Sequence, residues 1–404
     1  MSEGTSQRAA ESADADDLVS GAAAASAPEP ADTPAQAKAR RRHLYEVDIL
    51  RILTFVCVIS VHVVSHADSA SDLGQNGFLI LVHFTREVFF ALTAFVLVLS
   101  FLAKPRPLRE FWPKRFLLVA LPYVTWSAVY DFASWVHSPS GTLGDWLANF
   151  WHDLYTGNAW YHLYFLLVTM QVYLLMPVIV WLVKKTRGHH GLVIGLSFAV
   201  EMFFTVCYQY YPSVIPHAIS QYSRIEFWSY EFMIVLGAVA ADHVDPLMAW
   251  VRRSRLTILG LVVAGALLSI AVYAINLGLG QSPVKASTAL QPVVLVWSVP
   301  VILGFLALGT KWADQRVAGS RFARLVDTAS DRSFGIFLAH PFFIWLLLLA
   351  GGGWITHTIP DGPRAVVLYV LVVLCTVAFI EILRRTPLSL PLTGRPFRSG
   401  RKKA

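Results

Sequence analysis

Ten apolar stretches, each long enough to cross a bilayer as a helix, fill the chain between residues 45 and 383. They run over 45–66, 78–103, 115–136, 160–183, 191–211, 224–241, 256–278, 289–310, 333–350 and 365–383. In lipid, backbone polar groups have no water to bond. Only helices and closed barrels can therefore span, and stretches near 20 residues are too long for barrel strands. The expected fold is all-α: a multi-pass membrane protein with ten transmembrane helices, placed in the cell membrane. Composition agrees, at 55% hydrophobic and 15% charged.

Lysine and arginine alternate along these stretches. Arg40–Arg42 precede the first, and Lys104, Arg106, Arg109, Lys114 and Arg115 lie between the second and third. Every second connection repeats this, through Lys184, Arg252, Lys311 and Arg332, to the basic C-terminus. Residues 67–77 and 137–159 have no Lys or Arg at all. By the positive-inside rule both termini are expected in the cytoplasm. The net charge of +7 is then a topology signal and calls for no nucleic acid. The chain divides into a disordered tail (1–43), a ten-helix domain (44–383) and a basic cytoplasmic tail (384–404). The only partner this fixes is membrane lipid; the oligomeric state stays open.

Within the first stretch, LRILTFVCVISVHVV, Arg51 and His62 are eleven positions apart. Eleven steps of about 100° return to the same helix face, and eleven rises separate them by roughly 16 Å along it. Ionisable groups inside a membrane helix are costly and usually functional. One helix thus carries an anion anchor near its cytoplasmic end and a general-base candidate deeper in. The bland alternatives are an Arg51–Asp48 ion pair and a histidine bonded to a backbone carbonyl. Arg86 and Glu87 form a second charged pair in the second stretch; Glu87 is a candidate to orient His62 or simply a partner for Arg86. Glu201, Glu226 and Glu231 have no assigned role. His83 and Glu87 have i, i+4 metal spacing without a third ligand, so no metal is expected. Cys57, Cys207 and Cys375 lie in separate apolar runs and form neither a disulfide framework nor a zinc motif. There is no Gly-x-Ser-x-Gly elbow, phosphate loop or His-Glu-x-x-His.

The Arg-x10-His helix resembles the signature of the acyltransferase-3 family of integral membrane acyltransferases. Four further segments resemble family motifs in order: EVFFALTAFVLVLSF (87–101), FWPKRFLLVALPYVTW (111–126), WYHLYFLLVTMQVYLLMP (160–177) and SFGIFLAHP (333–341). The chain departs from the pattern at Thr93-Ala94, in place of Ser-Gly, at Leu118, in place of a second arginine, and at Tyr164, in place of Trp.

The resemblance implies transfer of a short acyl group, commonly acetyl, from acetyl-CoA or another acyl-CoA to a hydroxyl of a carbohydrate, glycolipid or secreted metabolite. No metal takes part. His62 and Glu87 then become catalytic candidates, and Arg51, Lys114 and Arg115 candidates for the coenzyme A phosphates. His162 and His340, both in family motifs, are candidates to line the acceptor side. A transporter would also hide charges in its bundle, so an exporter of similar architecture stands as the alternative.

Overall fold

The computed structural model describes residues 43–397 apart from 68, 140 and 361. The N-terminal tail expected up to residue 43 lies, but for its last residue, outside the described residues, as do residues 398–404. Among the described residues there is no strand. The long helices are α1 (Tyr45–Ala67), α2 (Leu73–Val82), α3 (Thr85–Ala103), α4 (Leu108–His137), α5 (Leu143–Thr156), α6 (Tyr164–Lys185) and α7 (His190–Tyr210). They continue as α8 (Glu231–Asp242), α9 (Val244–Arg253), α10 (Arg255–Gly278), α11 (Pro292–Gln315), α12 (Arg321–Thr358) and α13 (Pro363–Leu383). A last short helix, α14, covers Ser389–Thr393.

Nine of these segments among the described residues are long and apolar enough to span a membrane, or ten if one bent pair counts as a span. They coincide with the ten stretches seen in the sequence. Two differ from the simple picture. The second span consists of α2 and α3, interrupted at His83 and Phe84. The sixth contains a 3-10 turn (Phe227–Tyr230) and α8, and the chain then turns by 93° into α9. Pro246 explains that turn: it has no N–H to return to the Asp242 carbonyl, yet is tolerated in the first turn of the next helix. Helix α9 buries Met248 and Val251 and ends in Arg252 and Arg253, as an amphipathic surface helix should.

Helix α1 is the centre of the bundle and packs against α2, α3, α11, α12 and α13. That is why Arg51 and His62 face protein rather than lipid. The outer surface is apolar: Leu256, Leu259, Leu267 and Ile275 of α10 and Leu192, Leu196 and Phe203 of α7 are exposed. Helix α3 lacks the glycine that would permit close approach, but α8 supplies one. A Cβ on Gly237 would sit 2.0 Å from the Ala91 carbonyl oxygen.

Beyond α13 the chain does not simply trail away. Residues 384–397 fold back as a hook around α14, with Ser389 and Thr393 buried. The Trp126 indole of α4 donates to the Leu392 carbonyl at 3.0 Å.

Candidate functional site

The site is built on a proline. Pro341 lies inside α12 and cannot donate to the Phe337 carbonyl one turn back. The freed carbonyl accepts instead from His340, whose Nδ1 is 2.8 Å away. One residue on, the Tyr130 hydroxyl of α4 enters the same turn. It donates to the Leu338 carbonyl at 2.7 Å and accepts from the Phe342 amide at 3.1 Å. The Tyr130 hydroxyl thus bridges the helical ladder of α12 where Pro341 interrupts it.

His340 then sets the state of His62. The His62 Nδ1 and His340 Nε2 atoms are 2.7 Å apart, with the rings nearly parallel at 4°. Because a carbonyl is the partner of His340 Nδ1, that nitrogen carries the proton and Nε2 is the acceptor. The His62 proton is therefore on Nδ1, donated to His340. The remaining nitrogen, His62 Nε2, keeps its lone pair and makes no hydrogen bond among the described residues. A chain of two imidazoles ending on a carbonyl leaves a neutral base with one free nitrogen. Should that nitrogen take a proton, the Nδ1–H bond to His340 is retained and stabilises the cation.

Aromatic side chains surround the pair. Tyr161 meets His62 edge-on at 4.9 Å, and Phe337 lies 6.1 Å from His340. His162, 5.8 Å from His340 and 6.4 Å from His62, is fully buried with neither ring nitrogen hydrogen-bonded. A buried imidazole in that state is costly unless a ligand or water completes it. Beside the histidines, at the end of α1 remote from Arg51, lies a cavity of about 240 Å³. Its walls include His66, Trp160, Tyr161, Pro341 and Trp345.

At the other end of α1, Arg51 donates to the Ser330 hydroxyl at 3.1 Å. Ser330 donates on to Asp48 at 2.7 Å, and Asp48 is also bonded to His43 at 2.5 Å. Arg51 and Asp48 thus meet through a hydroxyl rather than as an ion pair. The neighbouring arginines are spent differently: Arg252, Arg255, Arg316 and Arg332 each hold a carboxylate. Arg51 retains unfilled donors among the described residues. Arg115 touches the face of Phe111 at 5.7 Å, and Lys114 is exposed.

Glu87 is elsewhere. Its Oε1 accepts two bonds from Arg86, at 2.8 and 3.0 Å, and it makes no hydrogen bond to His62. Arg86 also donates to the Ala289 carbonyl and lies over the Tyr230 ring. Glu201, near this pair, accepts from the Phe232 amide at 2.8 Å. Arg86 and Glu87 of α3 thus pair with each other in a buried network in which Glu87 Oε2 has no hydrogen-bond partner, and the hydrogen-bond partner of His62 is His340. The sequence singles out His62 by its spacing from Arg51, and His162 and His340 by their motifs; the structure brings the three together. Sequence reasoning missed Tyr130, a hydroxyl in an apolar run, and Ser330, a hydroxyl among the polar residues that precede the ninth stretch.

A family model described as an acyltransferase domain matches residues 44–381. The chain belongs to the acyltransferase-3 family. No curated protein and no solved structure matches it. It is a multi-pass membrane acyltransferase, and the Arg-x10-His helix and the His-Pro helix of that domain are the two that supply the paired imidazoles.

Proposed function

We propose that this acyltransferase carries out O-acetylation or a similar short-chain O-acylation. The donor is cytoplasmic acyl-CoA, and the acceptor is a hydroxyl of a carbohydrate, glycolipid or secreted metabolite. His62 acts as the general base. The observation that carries this reading is the tautomer chain through His340, which leaves His62 Nε2 with a free lone pair. The acceptor hydroxyl gives its proton to Nε2 as its oxygen bonds to the thioester carbonyl carbon. Collapse of the tetrahedral intermediate breaks the C–S bond, and the His62 proton goes to the departing sulfur. The aromatic cavity beside the histidines suits a sugar ring or similar acceptor, and His162, buried nearby without a hydrogen-bond partner, is the candidate to bond one of its hydroxyls.

Arg51 binds a donor phosphate from the basic side of the bundle, with Arg115 and Lys114 as further cations there. Replacing Arg51 by Gln is expected to raise the acyl-CoA requirement by roughly tenfold to a hundredfold, the cost of a charged hydrogen bond of about 1.5–3 kcal/mol. Steady-state kinetics against acyl-CoA in reconstituted vesicles measures this. A well-folded Arg51→Gln protein with unchanged donor requirement would assign Arg51 to structure.

This arrangement needs the basic side to face the cytoplasm. A cysteine replacing Ser138, exposed at the end of α4, is expected to react with an impermeant thiol reagent on intact cells. One replacing Lys184, at the end of α6, is expected to react only after lysis. The reverse labelling pattern would overturn the orientation and the donor side built on it.

A further inference from the structure

The C-terminal hook ends at the turn of α12 that holds Arg51. Its course is tightly specified. Arg384 donates to the Ser389 hydroxyl at 3.3 Å and to the Pro396 carbonyl at 3.2 Å. Ser389 in turn donates to the Arg395 carbonyl at 2.8 Å. Gly394 has φ +64°, a conformation that favours glycine. A Cβ there would also meet the Phe334 ring at 2.5 Å and the Leu118 carbonyl oxygen at 2.9 Å. So many constraints on a segment this short fix the position of the residue that follows, Arg395.

That residue is held by the same turn of α12 as Arg51. Adjacent positions on α12 hold the two guanidiniums: Ser330 accepts from Arg51, and Asp331 pairs with Arg395 at 3.4 Å. The two cations are near enough for their like charges to interact. Asp331 cannot neutralise them, since it is shared with Arg332 and with Arg384 at 3.2 Å. Arg395 makes no hydrogen bond through its side chain among the described residues, and its side chain is 44% exposed, open to a ligand. Two guanidiniums held by adjacent residues, each with free donors, suit an oxyanion such as a phosphate.

We propose that the hook completes the donor site: Arg395 joins Arg51 to grip a phosphate group of the acyl donor. This deepens the acyl-CoA reading above and rests on it for the identity of the ligand. The anchoring of Gly394 against α4 and α12 is then what holds Arg395 in place.

The test is titration of coenzyme A into the purified full-length protein in detergent, followed by calorimetry. Arg395→Gln is expected to weaken coenzyme A at least tenfold and to leave the affinity for phosphate-free acetyl-pantetheine unchanged. Arg395→Lys should recover part of the loss. Arg385→Gln removes the same charge from an exposed residue nearby and should leave the affinity as it was. A folded Arg395→Gln protein that binds coenzyme A like wild type would overturn the inference while leaving the acyl-CoA reading intact. So would an equal loss in Arg385→Gln, which would reduce the effect to general charge. Wild-type protein that binds no coenzyme A would instead remove the donor reading. Inorganic pyrophosphate then decides the site: binding that Arg395→Gln weakens supports it, and no binding overturns it.

Discussion

Exchange of His62 for glutamine is expected to reduce acyl transfer by roughly 10²–10⁴-fold, the usual contribution of a positioned base. Glutamine preserves much of the shape and can still donate to the Nε2 atom of His340, but it cannot accept a proton near neutral pH. The bundle should be little affected. His62 contributes one side-chain hydrogen bond, to His340, while α1 is held by packing against five other helices. Donor binding, placed at Arg51 about 16 Å away along the helix, should survive. The measurement is acylated product in extracts of a deletion strain carrying each variant, normalised to folded protein in the membrane. A folded His62→Gln protein that keeps most of the wild-type rate would end the general-base assignment.

Much of this was readable before any coordinates. Membrane-spanning helices advertise themselves because lipid forces every backbone group into local hydrogen bonds, so the ten apolar stretches map onto the helices almost one to one. The eleven-residue spacing of Arg51 and His62 fixes their common face for the same reason. Less legible was the interruption at His83 and the sharp turn at His243. Hydropathy sums over a window and cannot see a missing N–H; Pro246 is the residue that should have been weighed.

Partnerships across helices were harder still. In the sequence Glu87 has two readings, an orienting carboxylate for His62 or a partner for Arg86, and the adjacent Arg86 takes it over a far shorter path. His340 occupied a motif. Its role follows only from Pro341 releasing a carbonyl, which links a backbone defect in α12 to the proton position on α1. Of the basic tail expected over residues 384–404, the structure describes 384–397. In the structure Trp126, Phe334 and the glycine at 394 capture it.

The chain from Pro341 to His62 can be tested at its middle. Removing the His340 ring with alanine deprives the His62 Nδ1–H of its acceptor. The imidazole can then hold its proton on either nitrogen and turn away from the working geometry. Transfer should fall by roughly 10–100-fold, the scale at which orienting partners of functional histidines act. The loss should appear in kcat, with the acyl-CoA requirement near wild type, because the donor phosphates are held at the other end of α1. His340→Gln separates orientation from bulk. Its side-chain oxygen can accept from His62 Nδ1, so it should recover part of the rate, whereas His340→Leu, similar in volume but without an acceptor, should not. Tyr130→Phe removes the hydroxyl that bridges Leu338 and Phe342 and should cost less, since the Phe337 carbonyl still orients His340. Equal rates for the glutamine and leucine variants would mean that His340 merely fills space. The tautomer assigned to His62 would then lose its support.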